Sequence, residues 1–210
     1  MDCDDDALVN GANLAVLGSE LIQFGNVKPL GAGRFELSNL LRGRAGTEWA
    51  MDGHVAGEAF ALIERDALRA VPMPSWATGA EVSASARNIS GTTSTSAPLQ
   101  LSGESVRPFP PVALRAARDG DGSLRISWTR RSRAPAGWTD GIDMPLGERV
   151  ELYRVTLIGS LGSVEAEAGQ TELQFPAAQV AAVGLGPASI QVRQVGDAAL
   201  SRAAEISFTI

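Results

Sequence analysis

SLRISWT, residues 123–129, is the segment that decides the fold class of this chain. Leu124, Ile126 and Trp128 fall on one side of an extended backbone, and the residues between them are charged or carry a hydroxyl. A half-buried β-strand has this period of two, whereas a helix has a period near 3.6 residues. The segment is therefore predicted to be a strand whose apolar side faces a core.

The same alternation recurs along the chain, and helical periodicity is nearly absent. VALRAA precedes the segment, and VELYRVTLI, SVEAEA, TELQF, SIQVRQV and EISFTI follow it. Short strands at this spacing over about 100 residues are typical of a β-sandwich. Residues 108–210 are thus predicted to form one, and the prolines of RPFPPV (107–112) mark its beginning because proline interrupts sheet pairing.

Residues 1–106 are predicted to form a compact mixed-strand β domain. NLAVLGSELIQFG (13–25) predicts a hairpin in which Gly18 opens a type II′ turn. GEAFALIE (57–64) predicts a strand buried on both faces, because it is mostly apolar. Residues 78–105 contain 11 Ser or Thr, and they predict two polar strands around a loop, with a linker as the alternative.

The composition excludes several classes of function. The formal net charge is −6 at pH 7, so no nucleic-acid specificity is expected, because such binding needs a positive surface. No apolar run approaches the roughly 18 residues of a membrane-spanning helix. One cysteine and one histidine exclude an internal disulfide and zinc sites built from several such ligands.

The acidic N-terminus, MDCDDD, is predicted to be a solvated segment. Asp2, Asp4 and Asp6 alternate as at the start of a calcium loop, but the loop's glycine and closing glutamate are missing. The segment leads directly into strand-like sequence without a helix N-cap, and we expect the chain to be a piece of a longer polypeptide. No metal and no cofactor are expected.

The stretch LSNLLRGRAGTEWAMDGH (37–54) holds the candidate binding residues of the first half. Gly43 and Gly46 are too close together for a phosphate loop, and no lysine follows them. They are predicted to supply positive φ in a tight connection. Arg42 and Arg44 are predicted to pair with acidic neighbours or with a partner chain.

Catalytic chemistry has little support in the sequence. His54 is the only imidazole, no Gly-x-Ser-x-Gly motif is present, and a structural or surface role is expected for it. Several glutamates lie on predicted strands, yet the sequence singles out no pair suited to glycoside cleavage. No catalytic residue is assigned, and the chain is expected not to be an enzyme.

The polar loop after SLRISWT holds the candidates of the second half. Arg130, Arg131 and Arg133 surround one serine, and they are predicted to pair with acidic groups of this chain or of a neighbour. Trp138 is predicted to stack on a sugar, to cover the end of its own core or to fill a subunit contact. Together with the arginines of the first half, these residues are the binding candidates for an interface or a glycan.

Residues 108–210 resemble a fibronectin type III domain. The resemblance rests on Pro108, Pro110 and Pro111, on Trp128 in the second strand, on Tyr153 in the third, and on Leu185-Gly186-Pro187 before the sixth. The family's corner tyrosine is replaced by Ile190 or Gln191. The resemblance implies a fibronectin-like sandwich.

From about residue 13 on, the chain resembles the large tail-tip proteins of long-tailed phages and of gene transfer agents. In the first half the matching residues are Gln23-Phe24, the Leu-Leu-Arg-Gly-Arg-x-Gly-Thr turn at 40–47, His54 and Gly57-Glu58. In the second half they are Trp128, Arg130 to Arg133, Pro145 to Glu148, Glu151 and Tyr153. Nothing in the chain resembles the hydrolase-like barrel found upstream in gene transfer agents.

This resemblance implies a structural component of a tail tip or baseplate hub, which contributes to distal tail assembly and contacts the host envelope. Its expected partners are other tail and baseplate proteins, further copies in a homotrimer, and a host cell-surface glycan. The expected location is the tail of a virion or phage-like particle, assembled in the bacterial cytoplasm and extracellular after release. The alternative function is a carbohydrate-binding accessory module of a bacterial surface or secreted enzyme.

Overall fold

The structure is a computed structural model that describes residues 2–69, 71–92, 94–134, 141 and 143–210 of the chain. The described residues form 13 strands in four sheets and two short α-helices, which confirms the predicted all-β class. The chain divides into two compact units, Met1–Pro72 and Met73–Ile210. Within the described part, none of the helices has the length and apolar character that crossing a bilayer demands.

The first unit contains one four-stranded antiparallel sheet. Its elements are α1 (Asp5–Val9), β1 (Leu14–Leu17), β2 (Glu20–Gly31), β3 (Arg34–Leu41) and β4 (Phe60–Leu62), with 3-10 turns at Arg44–Gly46, Glu48–Ala50 and Arg65–Ala67. The strand order is β3-β2-β1-β4. Leu17 pairs with Glu20 and Gly18 has a φ of 58°, so the predicted hairpin with a two-residue turn is confirmed.

The core of this unit is small, because only Ala15, Ile22 and Phe24 are buried in its apolar cluster. The prediction of a strand buried on both faces at residues 57–64 is wrong. Strand β4 lies at the edge of the sheet and leaves 48% of Phe60 exposed, because no described element covers it. A groove of ≈ 380 Å³ lies in this region, lined by Phe24, Val27, Phe35, Leu37, Phe60 and Leu62.

The acidic N-terminus is built into this unit. Asp4 is the N-cap of α1 and accepts a hydrogen bond from the Ala7 amide at 2.8 Å, so the expectation of a start without an N-cap is wrong. The cap went unrecognised because α1 has only five residues and shows no helical period. Gln23 of β2 donates to the carbonyl of Leu8 at 2.7 Å, which fixes α1 on the sheet.

The second unit holds a two-layer sandwich. Its elements are β5 (Glu81–Arg87), β6 (Ser94–Gln100), β7 (Val112–Arg118), β8 (Leu124–Thr129), β9 (Tyr153–Gly159), β10 (Gly162–Ala168), β11 (Glu172–Phe175), α2 (Ala177–Ala182), β12 (Pro187–Gln194) and β13 (Ala204–Thr209), with 3-10 turns at Ser75–Ala77 and Glu104–Val106. One layer has the order β11-β8-β7 and the other β10-β9-β12-β13. This antiparallel division into three and four strands is that of a fibronectin-like β-sandwich.

The apolar side of β8 faces the sandwich core, as its alternation predicted. Leu124, Ile126 and Trp128 are all buried. The indole of Trp128 meets the ring of Tyr153 on the other layer edge-on, with centroids 5.0 Å apart, a favourable aromatic geometry. Helix α2 was not predicted, and it adds the fully buried Val180 to the core.

Residues 78–105 form a hairpin of strands β5 and β6, which confirms the prediction of two polar strands. Ala80 and Leu101 close its base through a backbone hydrogen bond of 3.0 Å. Every described residue of the two strands is exposed except Val82, which is half-buried. The hairpin therefore stands apart from the sandwich core.

Candidate functional site

The carboxylate of Glu20, at the start of β2, is fully buried. A buried carboxylate is stable only if charged and polar groups replace its lost water. Arg42 Nε donates to Oε1 at 2.8 Å and Arg42 Nη2 to Oε2 at 2.7 Å. The Gly43 amide donates to Oε1 at 2.6 Å, and His54 Nε2 lies 2.8 Å from Oε2. We call Glu20, Arg42, His54 and Glu58 the Glu20 cluster.

The turn after β3 is shaped to hold this carboxylate. Gly43 has a φ of 60°, which a residue with a side chain adopts only under strain. A Cβ at this position would come within 2.9 Å of the Cα of Glu48 and of the sulfur of Met51. Arg42 also donates to the carbonyl of Met51 at 2.7 Å. The Arg-Gly dipeptide thus allows the chain to fold tightly around Glu20.

His54 joins two carboxylates. Its Nδ1 lies 2.6 Å from Oε2 of Glu58, and its Nε2 contacts Glu20. An ionised carboxylate can only accept hydrogen bonds, so both ring nitrogens must carry a proton for both contacts to be bonds. The hydrogen bond with Glu58, followed by that with Glu20, accordingly raises the pKa of His54.

The pKa of Glu20 moves in the opposite direction. Burial by itself would raise it, but the hydrogen bonds from Arg42, the Gly43 amide and His54 outweigh burial and lower the pKa to about 2. Glu20 is therefore ionised at neutral pH. Its ionised carboxylate pairs directly with the guanidinium of Arg42.

This arrangement suits holding the chain more than reacting with a substrate. The Glu20 side chain has no exposed surface, and both nitrogens of His54 are occupied by carboxylates. The nearby hydroxyl of Thr47 accepts from the Leu21 amide at 2.9 Å and donates to the Arg44 carbonyl at 2.8 Å. Among the described residues, no group of three or more His, Cys, Asp and Glu is placed to hold a metal ion.

The two arginines predicted as binding residues in the first half have different surroundings. Arg42 is engaged with Glu20 and leaves 32% of its side chain exposed. Arg44 is half-buried in the 3-10 turn that follows Gly43. Within the described part of the chain, no ion pair of Arg44 is found.

The three arginines after β8 contact three separate places. Arg130 Nη2 donates to Oδ2 of Asp143 at 2.6 Å, and Arg133 Nε donates to Oε1 of Glu148 at 2.7 Å. The guanidinium of Arg131 lies 4.9 Å from the ring centroid of Phe109, a cation–π distance. Each of these three side chains thus contacts a different group of its own chain. Trp138 lies outside the described residues.

A polar pocket of ≈ 420 Å³ adjoins Arg130, and its lining residues are Trp128, Thr129, Arg130, Asp143, Glu151, Gln170 and Thr171. Arg130 Nη1 is buried and has no hydrogen-bond partner among the described residues. Tyr153 donates to Glu151 at 2.8 Å on the core side. The acidic and basic side chains that line this pocket largely form ion pairs with one another.

The sequence interpretation missed the central residue of the first unit. Glu20 was considered only as one of several strand glutamates. Two signals point to it in retrospect. Glu20 directly follows the hairpin turn and precedes the apolar pair Leu21-Ile22, and the only histidine has a glutamate four residues later at Glu58.

Several solved structures match this chain at low similarity. The structure of titin kinase and its flanking domains is 19% identical with a TM-score of 0.32, and the match covers 46% of this chain and 15% of that one. Domains d3-d4 of rat CD45 are 8% identical with a TM-score of 0.38, covering 88% of this chain and 94% of theirs. The fibronectin type III domain of human fibronectin type III domain containing protein 3 is 11% identical with a TM-score of 0.33, covering 49% and 84%. No curated protein sequence matches the chain.

Most of the sequence of the first unit matches the model of a protein family. The family is described as Rcc01698-like, C-terminal, and its model matches residues 1–61. That range contains β1 to β3 and every member of the Glu20 cluster. Over these residues, the chain is similar to the C-terminal region of Rcc01698-like proteins.

Proposed function

We propose that this chain is a structural component of a phage-like tail tip or baseplate hub and contributes to assembly of the distal tail. The match of residues 1–61 to the Rcc01698-like C-terminal family carries the proposal, because Rcc01698 is a gene transfer agent-associated protein. The matched range includes the turn at residues 40–47, by which the sequence resembles tail-tip proteins.

The geometry of the first unit supports a role based on contact. The charged groups of the Glu20 cluster pair with one another, and these pairs hold the loop that connects β3 with β4 in place. The sheet meanwhile leaves 61% of Phe35 and 48% of Phe60 exposed beside an apolar groove. Exposed apolar surface of this kind is typical of protein contacts. In the proposed particle, other tail proteins and further copies of this chain cover such surfaces.

The sandwich of the second unit supports the same role in a different way. Its buried core makes it a rigid scaffold, and its loops lie at the ends of the two layers, where binding residues are commonly held. Loops repeated by symmetry around a tail axis would present the same surface several times. Contact with the host envelope is the finer part of the proposal.

The experiment is to locate the chain in purified particles. A strain that encodes an epitope tag on this chain should yield particles in which mass spectrometry finds the chain together with tail proteins and antibody–gold labelling marks the tail tip. Deletion of the region coding for residues 1–210 should leave particles without a complete tip, and wild-type sequence supplied in trans should restore it. Particles that assemble and infect normally without the region would refute the proposal.

A glycan array probes the rival function with the same protein. Glycan binding that Trp138→Ala abolishes, in a chain absent from particles, would favour a carbohydrate-binding module. Retained tail labelling without glycan affinity would favour the structural role.

A further inference from the structure

The outer edge of β5 is an unoccupied site for strand pairing. Strands β5 and β6 pair only with each other among the described residues. An isolated two-stranded hairpin is marginally stable in water, and its unpaired backbone groups can receive another strand. A further strand can pair only with an outer edge whose backbone N–H and C=O groups are free, so the edges of β5 and β6 have to be compared.

The β6 edge is blocked by a proline. Pro98 lies opposite Ser83, and proline lacks the N–H that a pairing strand would need. The Leu101 amide donates to the Ala80 carbonyl. Because hydrogen-bonded and non-bonded pairs alternate along an antiparallel ladder, the Ser83–Pro98 pair, three positions further along, is non-bonded. The side of Pro98 that lacks a donor therefore faces the outer edge of β6.

The same alternation defines the β5 edge. The backbone groups of Glu81, Ser83, Ser85 and Arg87 point away from β6, because each belongs to a non-bonded pair. Strand β5 contains no proline, and its only charges are Glu81 at one end and Arg87 at the other. The β5 edge is thus open along its full length and carries opposite charges at its two ends.

This edge is complementary to itself. If two β5 strands run antiparallel about a two-fold axis through Ala84, Glu81 of each copy lies opposite Arg87 of the other, and Ser83 lies opposite Ser85. All outward-pointing groups then meet outward-pointing groups. Registers centred on Ser83 or on Ser85 would place Glu81 and Arg87 opposite uncharged residues. Opposite charges across strands stabilise the pairing, so the charges select one register.

The side chains agree with that register. Val82, Ala84 and Ala86 share one face of the hairpin with Ala97 and Leu99, whereas Ser83, Ser85 and Ser96 share the other, where Ser85 and Ser96 hydroxyls lie 3.1 Å apart. Pairing about Ala84 continues the apolar face of one copy into that of the other. A one-residue slip would join apolar to polar faces.

We infer that two copies of this chain associate through their β5 edges and form a four-stranded antiparallel sheet across a two-fold axis. A two-fold contact of this type uses the same patch on both partners. The inference does not rest on the proposed function, because it depends only on the β5–β6 hairpin. A negative result would leave the tail-tip proposal standing.

Charge exchange on the full chain tests the pairing. In sedimentation experiments, the 21.9 kDa chain should show a concentration-dependent dimer. Glu81→Arg and Arg87→Glu should each weaken dimerisation about tenfold, because each replaces two attractive pairs by two repulsive ones. The double variant should regain an affinity close to that of the wild type. All three alter exposed residues, so circular dichroism should show unchanged folding.

A disulfide tests the register. The two Ala84 Cα atoms would be about 4.5 Å apart in a non-bonded antiparallel pair, which is within reach of a disulfide. In a Cys3→Ala background, Ala84→Cys should form a covalent dimer under mild oxidation. Ala97→Cys is the matched control, because Ala97 lies on β6 on the same face of the hairpin as Ala84. This variant should remain monomeric on a non-reducing gel. A chain that sediments only as a monomer, or a dimer unaffected by charge exchange and not linked through residue 84, would overturn the inference.

Discussion

Glu20 and His54 are 34 residues apart in the chain, yet Oε2 of Glu20 lies 2.8 Å from Nε2 of His54. The contact joins the first residue of β2 to the loop that leads to β4. In a unit whose apolar cluster buries only three residues, this polar contact substitutes for part of the missing core. The stability of the first unit should therefore depend strongly on the charge state of these two residues.

Glu20→Gln should lower the free energy of unfolding of the first unit by about 2–3 kcal/mol. The amide cannot accept the paired hydrogen bonds of Arg42 as a carboxylate does, and it leaves a half-buried cation without its partner. Hydrogen exchange of the β1 to β3 amides measures the change for this unit alone.

Glu36→Gln is the matched control for that substitution. Glu36 lies in the same sheet and pairs with Lys28 at 3.7 Å, but both side chains are more than half exposed. An exposed pair of this kind contributes little, so the change should stay within about 0.5 kcal/mol. Equal effects of the two substitutions would contradict the role assigned to Glu20.

The stability of the first unit should fall as the pH rises through the titration of His54. The pKa of His54 is raised in the folded chain, so its stabilising contribution is complete below the usual value of about 6.5. The contribution is lost as the pH rises through the higher folded pKa. Because the chain has one histidine, a single imidazole resonance in NMR reports this titration directly.

Glu58→Gln provides the comparison for the titration. It removes the carboxylate that contacts Nδ1 of His54 at 2.6 Å, so the pKa of His54 should move down towards its usual value. The alkaline loss of stability should move to lower pH with it. An imidazole that titrates identically in both proteins would show that the Glu58 contact is absent in solution.

The contribution of Glu20 to the stability of the first unit should be lost only at low pH. The pKa of Glu20 is lowered to about 2, so its contribution is present above the usual pKa of about 4.3 and disappears as the pH falls towards 2. Hydrogen exchange of β2 amides between pH 5 and pH 2.5 should show this loss. In Glu20→Gln the same amides should lose less protection over that interval.

Gly43→Ala should destabilise the first unit by about 2–3 kcal/mol, from a strained φ and from the approach of a Cβ to Glu48 and Met51. Gly53→Ala is the control, because Gly53 has a φ of 84° but open space around its Cβ position. The control should cost only the conformational strain, about 1 kcal/mol. A comparable loss at both sites would mean that Gly43 is not packed closely against Glu48 and Met51.

Ile126→Ala should destabilise the sandwich by about 3–4 kcal/mol, because Ile126 is fully buried in the centre of β8. Leu161→Ala removes a similar side chain from a position that is 77% exposed and should change stability by less than about 0.5 kcal/mol. Urea unfolding followed by tryptophan fluorescence measures both, because Trp128 is the buried one of the described tryptophans. A small effect at Ile126 would contradict the two-layer core.

Arg133→Gln should destabilise the second unit by about 2 kcal/mol, because it leaves the Glu148 carboxylate, whose side chain is only 2% exposed, without its cation. Arg149→Gln is matched in chemistry, but Arg149 is 82% exposed, and its removal should cost less than about 0.5 kcal/mol. The same urea titration compares them. If Arg133 instead serves mainly a partner chain, its loss should leave the isolated protein as stable as the Arg149 variant.

Much of the fold follows from alternation alone. The seven strands of the sandwich and the β5–β6 hairpin were predicted because inward and outward residues alternate within each of them, as in Leu124 to Trp128. Strand β4 was misjudged, because an apolar segment reads as buried whether or not a layer covers it. Helix α2 was missed because its six residues are too few to display a helical period.

The Glu20 cluster was not predicted either, and the reason differs from that for β4 and α2. Its members come from β2, from the turn after β3 and from the loop before β4, and only the tertiary fold brings them within hydrogen-bond distance. Sequence spacing revealed a tight turn at Gly43 and possible acidic partners for Arg42. It gave no information on which carboxylate would be buried there.

The long sequence separation within the Glu20 cluster also bears on the kinetics of folding. We expect Glu20 to lose its hydration shell only when Arg42, the Gly43 amide and His54 have all reached it, because the buried carboxylate needs these partners. We also expect contacts between such distant segments to form after the local contacts of the hairpins. Contacts that form after the transition state act mainly on the rate of unfolding. The cluster would therefore lengthen the lifetime of the native first unit while leaving the speed of its folding almost unchanged.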